Sequence, residues 1–99
     1  MQFRQGDLLF DEVAVIPSEC KESISPTLAY GEVTGHSHVI EGTFTRFDYR
    51  SDIYVSPTTP CDVVHEEHGT VSLPVGKTFR VSRQRQYDPV EQIPKPVID

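Results

Sequence analysis

The sequence predicts an all-β fold, a small single-domain barrel or sandwich of short antiparallel strands. Three observations carry that expectation. Apolar and β-branched residues alternate with polar ones in short runs, as in 43–49, where Phe44, Arg46 and Asp48 oppose Thr45, Phe47 and Tyr49. Glycine, proline and Asp/Ser clusters punctuate those runs at short intervals. No stretch of ten residues or more shows helical periodicity, so a layered β architecture is the arrangement left.

The elements follow in order. Residues 2–16 open with a Gly-Asp turn and continue as a strand in which Leu8 and Phe10 share one face and Leu9 takes the other. The β-branched finish at Val13, Val15 and Ile16 favours strand over helix, and Pro17 stops it. Residues 18–26 are polar, end in proline and read as a loop, with room for one helical turn over 19–23. Residues 27–34 resume an extended pattern, interrupted at Gly31. Strands are expected over 37–41, 43–49 and 53–56, with Gly42 as one turn and 50–52 as another. Pro57-Thr-Thr-Pro60 is a rigid connection before a strand over 61–67. A short extended piece at 70–73, a Pro-Val-Gly turn and a last strand over 77–87 complete the β domain, residues 1–87. Residues 88–99 hold three prolines and read as an extended C-terminal tail.

At 99 residues the chain is one domain with a small core. Nine Lys+Arg against fifteen Asp+Glu leave a formal charge of −6, which argues against a general nucleic-acid binder, whose footprint should be basic. No apolar run approaches the ~20 residues of a membrane span. The start, MQFRQGDLLF, lacks the pattern of a signal peptide, so a cytoplasmic protein is expected. Cys20 and Cys61 make no disulfide framework and read as free thiols.

The chemistry is concentrated in the four histidines, which fall in two tight pairs. His36 and His38 occupy alternate positions, so on a strand they aim to one side with Cα atoms ~7 Å apart, close enough to chelate one ion. His65 and His68 are three apart and point to opposite faces of a regular strand; a bend before Gly69 would bring them together. His36, His38, His65 and His68 are therefore the candidate metal ligands, with Glu41, Glu67 and Cys61 as alternative or supporting groups. Imidazole and carboxylate donors suit Zn, Fe, Mn or Ni, and a thiolate would favour Zn. The competing reading makes His36 and His38 cross-strand hydrogen-bonding residues and sets His65 and His68 on a solvated strand end. Glu66 and Glu67 then form a charged edge that discourages aggregation.

Four stretches, Arg4–Asp7 (RQGD), Gly35–His38 (GHSH), His65–His68 (HEEH) and Arg83–Pro89 (RQRQYDP), resemble in kind and order the motifs of a family of small bacterial and phage proteins of obscure function. The resemblance spans most of the chain. It implies that the four stretches form one site or one structural unit and supplies no reaction. The middle of the chain also resembles the cupin family, small β-barrels that hold a metal with an HxH pair, a following glutamate and a later histidine. Gly35-His36-Ser37-His38 with Glu41 is similar to the first cupin motif, and Leu73–Gly76 to the turn of the second. Two departures stand out: Glu41 is nearer the HxH pair than cupins place it, and His65 and His68 precede the turn that the cupin histidine follows.

Lys77, Arg80, Arg83 and Arg85 form a basic strip without an acid among them. Arg83 and Arg85 share a strand face and could hold a phosphate or carboxylate. The structural alternative, preferred here, pairs the strip with Asp62, Glu66 and Glu67 on a neighbouring strand. Cys61 and His65, four apart, could form a thiolate–imidazole pair, although a thiol after proline at a strand start is more often packing.

Three function classes follow. The first is a metal-binding protein or metal-dependent enzyme. The second is a metal-independent phosphoester enzyme using histidines for acid–base work and Arg83 or Arg85 for phosphate. The third is a phage or bacterial interaction module presenting its sheet edges. The partner is a small molecule or protein, and a homo-oligomer is compatible with the pattern.

Overall fold

The computed structural model describes residues 1–30, 36–83, 85–87 and 94–96. Among these residues there is no helix. The strands are β1 (Gln2–Gln5), β2 (Leu8–Val13), β3 (Lys21–Ser23), β4 (Thr27–Tyr30), β5 (Ser37–Glu41) and β6 (Phe44–Tyr49) in the first half. The second half adds β7 (Asp52–Pro57), β8 (Cys61–Val64), β9 (Val71–Leu73), β10 (Thr78–Arg83), β11 (Arg85–Tyr87) and β12 (Pro94–Pro96).

They form a six-stranded sheet in the order β1-β2-β10-β7-β6-β3 and a four-stranded sheet in the order β4-β5-β8-β9. Every described strand pair is antiparallel. Both sheets are open, so of the two architectures expected the molecule adopts the sandwich and not the closed barrel. The expected tail contributes β12, which pairs with β11 apart from both sheets.

Alternation builds the core. Leu8 and Phe10 of β2, Val55 of β7 and Phe79 and Val81 of β10 project from the large sheet. Leu28, Ile40, Cys61, Val63 and Leu73 meet them from the small one. Each fully buried aromatic or aliphatic side chain contributes roughly 1.5–3 kcal/mol, so Phe10 and Phe79, both without exposed surface, are the main apolar anchors.

The sheets are also joined by polar groups. Arg46 is buried on β6 and donates from one guanidinium nitrogen to the main-chain carbonyls of Ser25 (2.8 Å) and Thr27 (2.7 Å), while its Nε meets Asp48 at 2.8 Å. That ties the segment entering β4 to the large sheet. On the opposite side Gln5, at the end of β1, reaches the small sheet, as described below.

Three expectations are corrected. Residues 18–26 are not all loop, because Lys21–Ser23 pairs with Arg46–Asp48 as an edge strand. The strand expected over 61–67 ends at Val64, and the chain bends over residues 66–68. The basic strip does not pair with Asp62, Glu66 and Glu67. β10 lies beside β2, and Lys77 meets Glu12 (3.1 Å), Arg80 meets Asp11 (3.6 Å) and Arg83 meets Asp7 (2.7 Å).

Candidate functional site: a histidine cluster on a buried carboxylate

The register of the small sheet sets the first pair. In β5 the buried positions are His38 and Ile40, so the imidazole of His38 points inward with the core. His36 lies just before the strand with a side chain 19% exposed. The bend over 66–68 turns the chain at the end of β8 back across this end of β5.

All four histidines meet there, and His65 is the hub. Its ring centre lies 4.4 Å from that of His38, 4.6 Å from His68 and 5.6 Å from His36. His38 and His68 are parallel at 6.2 Å. The side chains of His38 and His65 have no exposed surface.

Hydrogen bonds define how each ring is held. Gln5 donates both amide hydrogens, to the carbonyls of Val63 (2.8 Å) and Gly69 (2.9 Å). Its orientation is thereby fixed, and its Oε1 faces His38 Nδ1 at 2.9 Å. An amide oxygen can only accept, so Nδ1 carries a hydrogen. His38 Nε2 faces Asp7 Oδ1 at 3.2 Å. Asp7 is itself fully buried, and its other oxygen lies 2.7 Å from Arg83 Nε, off the line of a hydrogen bond and thus a close ion pair. Arg83 also donates to the carbonyl of Tyr30.

His65 accepts the Glu67 main-chain N–H at Nδ1 (3.0 Å), which leaves its hydrogen on Nε2, 4.0 Å from Glu66 Oε2. Glu66 Oε2 accepts the Ser37 N–H at 3.0 Å, and this bond, ahead of its other causes, holds the Glu66 carboxyl below the usual carboxylate range. His36 Nε2 is 3.7 Å from Glu67 Oε1. Two buried ring nitrogens, His36 Nδ1 and His68 Nε2, have no hydrogen-bond partner among the described residues.

Gly6 completes the packing. Its φ is +58°, and a Cβ built there would come 2.6 Å from His68 Nε2. Position 6 thus needs glycine twice, for the left-handed backbone and for the ring lying on it.

The remaining candidates lie elsewhere. Glu41 is exposed at the end of β5, opposite Asp62. Cys61 is buried, with Sγ against the carbonyls of Thr43 (3.4 Å) and Thr59 (3.2 Å) and close under Gly42. Burial pushes its thiol up. The side chain of Arg85, and residues Gly35, Gln84 and 88–89 of the motifs, lie outside the described residues. Gln5 and Asp7, which hold the cluster, carry no signal in the sequence beyond their place in RQGD.

A cleft of about 260 Å³ opens beside the cluster, lined by Ser37, Val39, Val64, His65 and Glu66. Two imidazoles bound to one tetrahedral ion at ~2.1 Å have ring centres roughly 5 Å apart. The separations around His65 bracket that value. Among the described residues, however, no three His, Cys, Asp or Glu groups are arranged to hold an ion as they stand. Binding would require the rings to turn about their side-chain bonds and a glutamate to swing inward.

Two open antiparallel sheets around an apolar core, with a buried histidine–carboxylate cluster beside it, define a small β-sandwich domain. The chain belongs to the family described as Domain of unknown function (DUF8820), whose model matches residues 4–84. That span takes in Gln5, Gly6, Asp7, all four histidines and Arg83. No curated protein and no solved structure matches the chain. No helix among the described residues is long and apolar enough to cross a membrane.

Proposed function

We propose that this domain binds a divalent transition-metal ion, Zn, Fe, Mn or Ni, at the cluster of His36, His38, His65 and His68. The observation that carries the reading is the pair of unpartnered buried ring nitrogens, His36 Nδ1 and His68 Nε2, beside His65. A buried polar atom left without a partner costs about 1–3 kcal/mol, a cost that an ion would relieve at His36 Nδ1, and at His68 Nε2 once that ring turns off Gly6. Glu67, near His36, is the nearest carboxylate able to join them. The four motifs serve this one site: RQGD supplies Gln5, Gly6 and Asp7, GHSH and HEEH supply the rings, and Arg83 supplies the counter-charge to Asp7.

Elemental mass spectrometry of untagged protein tests this. About one equivalent of metal is expected, and its loss in the His65→Ala variant. Binding should also stabilise the fold, by about 2.7 kcal/mol at a free metal concentration of 100 Kd. An absence of metal and of any thermal shift after incubation with Zn, Fe, Mn and Ni salts would overturn the proposal.

A second reading has one observation in its favour. His36 is partly exposed and faces Glu67, an arrangement suited to acid–base work without metal. Arg83 offers little to that chemistry, because its guanidinium is engaged by Asp7 and Tyr30.

A further inference from the structure

We infer that the outer face of the small sheet is a docking surface for an extended, basic segment of a partner protein, one whose cationic side chains flank an apolar one in the order basic–x–apolar–x–basic. In β5 the inward positions are His38 and Ile40, so Ser37, Val39 and Glu41 face out. In β8 Cys61 and Val63 are inward, so Asp62 and Val64 face out. The register sets Val39 beside Val64 and Glu41 beside Asp62. Past the end of β8, Glu66 joins Ser37, Val39, Val64 and His65 around the cleft of about 260 Å³. The Ser37 N–H holds one of its carboxylate oxygens in place. The face thus has an apolar floor, Val39 and Val64, with Glu41 and Asp62 at one end and Glu66 at the other. Tyr30, 75% exposed, stands across from Ser37 at the cleft end.

Charge decides what fits there. Residues 22–45 and 51–76, which supply all four strands of this sheet, contain no Lys or Arg. Among the described residues Glu41 and Asp62 enter no ion pair, and Asp62 accepts only the Ser72 hydroxyl at 2.9 Å. The basic side chains are engaged by other acids: Arg46 by Asp48, Lys77 by Glu12, Arg80 by Asp11 and Arg83 by Asp7. In a chain of net charge −6 this face repels nucleic acid and draws in a cationic polypeptide. An extended segment places alternate side chains on one side with ~7 Å between them, the same period as Asp62 and Val64 or Glu41 and Val39. A long basic side chain can lay its aliphatic stem on the valines and its head on a carboxylate. An exposed tyrosine beside the strip adds the residue type that interfaces favour. The surface is separate from the metal reading, because it turns away from the side of β5 that bears His38.

The test titrates the full-length ¹⁵N-labelled protein with the end-blocked pentapeptide Lys-Thr-Val-Thr-Lys and follows the backbone amide shifts. Saturating shifts are expected at Val39, Val64 and Glu66, with β2 and β10 unmoved, and binding should weaken as salt is raised. Asp62→Lys and Val64→Thr, both at outward positions of β8, should each weaken it roughly 3- to 5-fold. The same residues reordered as Lys-Lys-Val-Thr-Thr should bind several-fold less tightly than the parent peptide. Equal binding of the reordered peptide, or of spermidine, a free organic cation without an apolar side chain, would overturn the inference. Shifts confined to the large sheet, or no shift at millimolar peptide, would overturn it as well.

Discussion

A carboxylate with no exposed surface has its charge answered on the spot, and Asp7 is answered twice, by His38 at 3.2 Å and by Arg83 at 2.7 Å. Such a buried arrangement adds little over an apolar replacement of all its members, yet removing one member strands the others. Asp7→Ala should therefore cost about 3–5 kcal/mol in urea-induced unfolding, a large share of the stability of a domain this size. A loss below about 1 kcal/mol would place the pair in the class of weak surface bridges. The histidines were legible in the sequence because four of them in two tight pairs cannot be missed. Their holders were not. Gln5 and Asp7 flank a glycine, and polar residues beside a glycine read as the rim of a solvated turn. Only the fold shows that this turn points inward, with Gly6 pressed on His68.

The elements repeat that lesson in a different form. Strands with alternating apolar residues, such as β2, β5, β6 and β10, could be recognised because one face of each meets the core. β3 could not. It is the three-residue edge strand Lys-Glu-Ser, paired on one side only, so nothing in its composition distinguishes it from a loop. The acids that face the basic strip are not legible either, because the sequence does not reveal that β10 slots between β2 and β7. At the same scale, Glu66 is the clasp between the 66–68 bend and the start of β5 through the Ser37 N–H. Its folded pKa is depressed, so its contribution is present above the ordinary carboxylate value and fades as pH falls through the lowered folded value. On acidification below about 4.5, the reference value of that carboxyl, the Ser37 amide should lose hydrogen-exchange protection ahead of the core strands. Glu66→Gln should weaken that pH response. Equal loss of protection across β5 and β10 would mean that the clasp is not what acid releases.

For the whole molecule, barrel and sandwich could not be separated from the sequence, because both demand the same inward and outward alternation. What separates them is whether the outer strands pair, and here β1, β3, β4 and β9 remain sheet edges. The shared core makes the two sheets one cooperative body, and the two thiols report on it. Burial raises the pKa of both thiols, but Cys61 has no exposed surface, whereas Cys20 is half-exposed. A thiol-modifying reagent followed by mass spectrometry should label Cys20 in the native protein and Cys61 only at the rate of global unfolding. Labelling of both at one rate would show that the β5–β6 turn over Cys61 opens on its own.

The partnership of Asp7 with Arg83 has a consequence for how the protein comes into being. One belongs to the first hairpin, the other to the last strand of the large sheet, and His38 lies between them in the chain. A nascent chain emerging from the ribosome exposes all four histidines before β10, Thr78–Arg83, exists to close over them. Until then His38 and Asp7 lack their arginine, and the large sheet lacks its central strand. The cluster is thus among the last things the protein completes, and its buried carboxylate waits for its counter-charge until the large sheet closes.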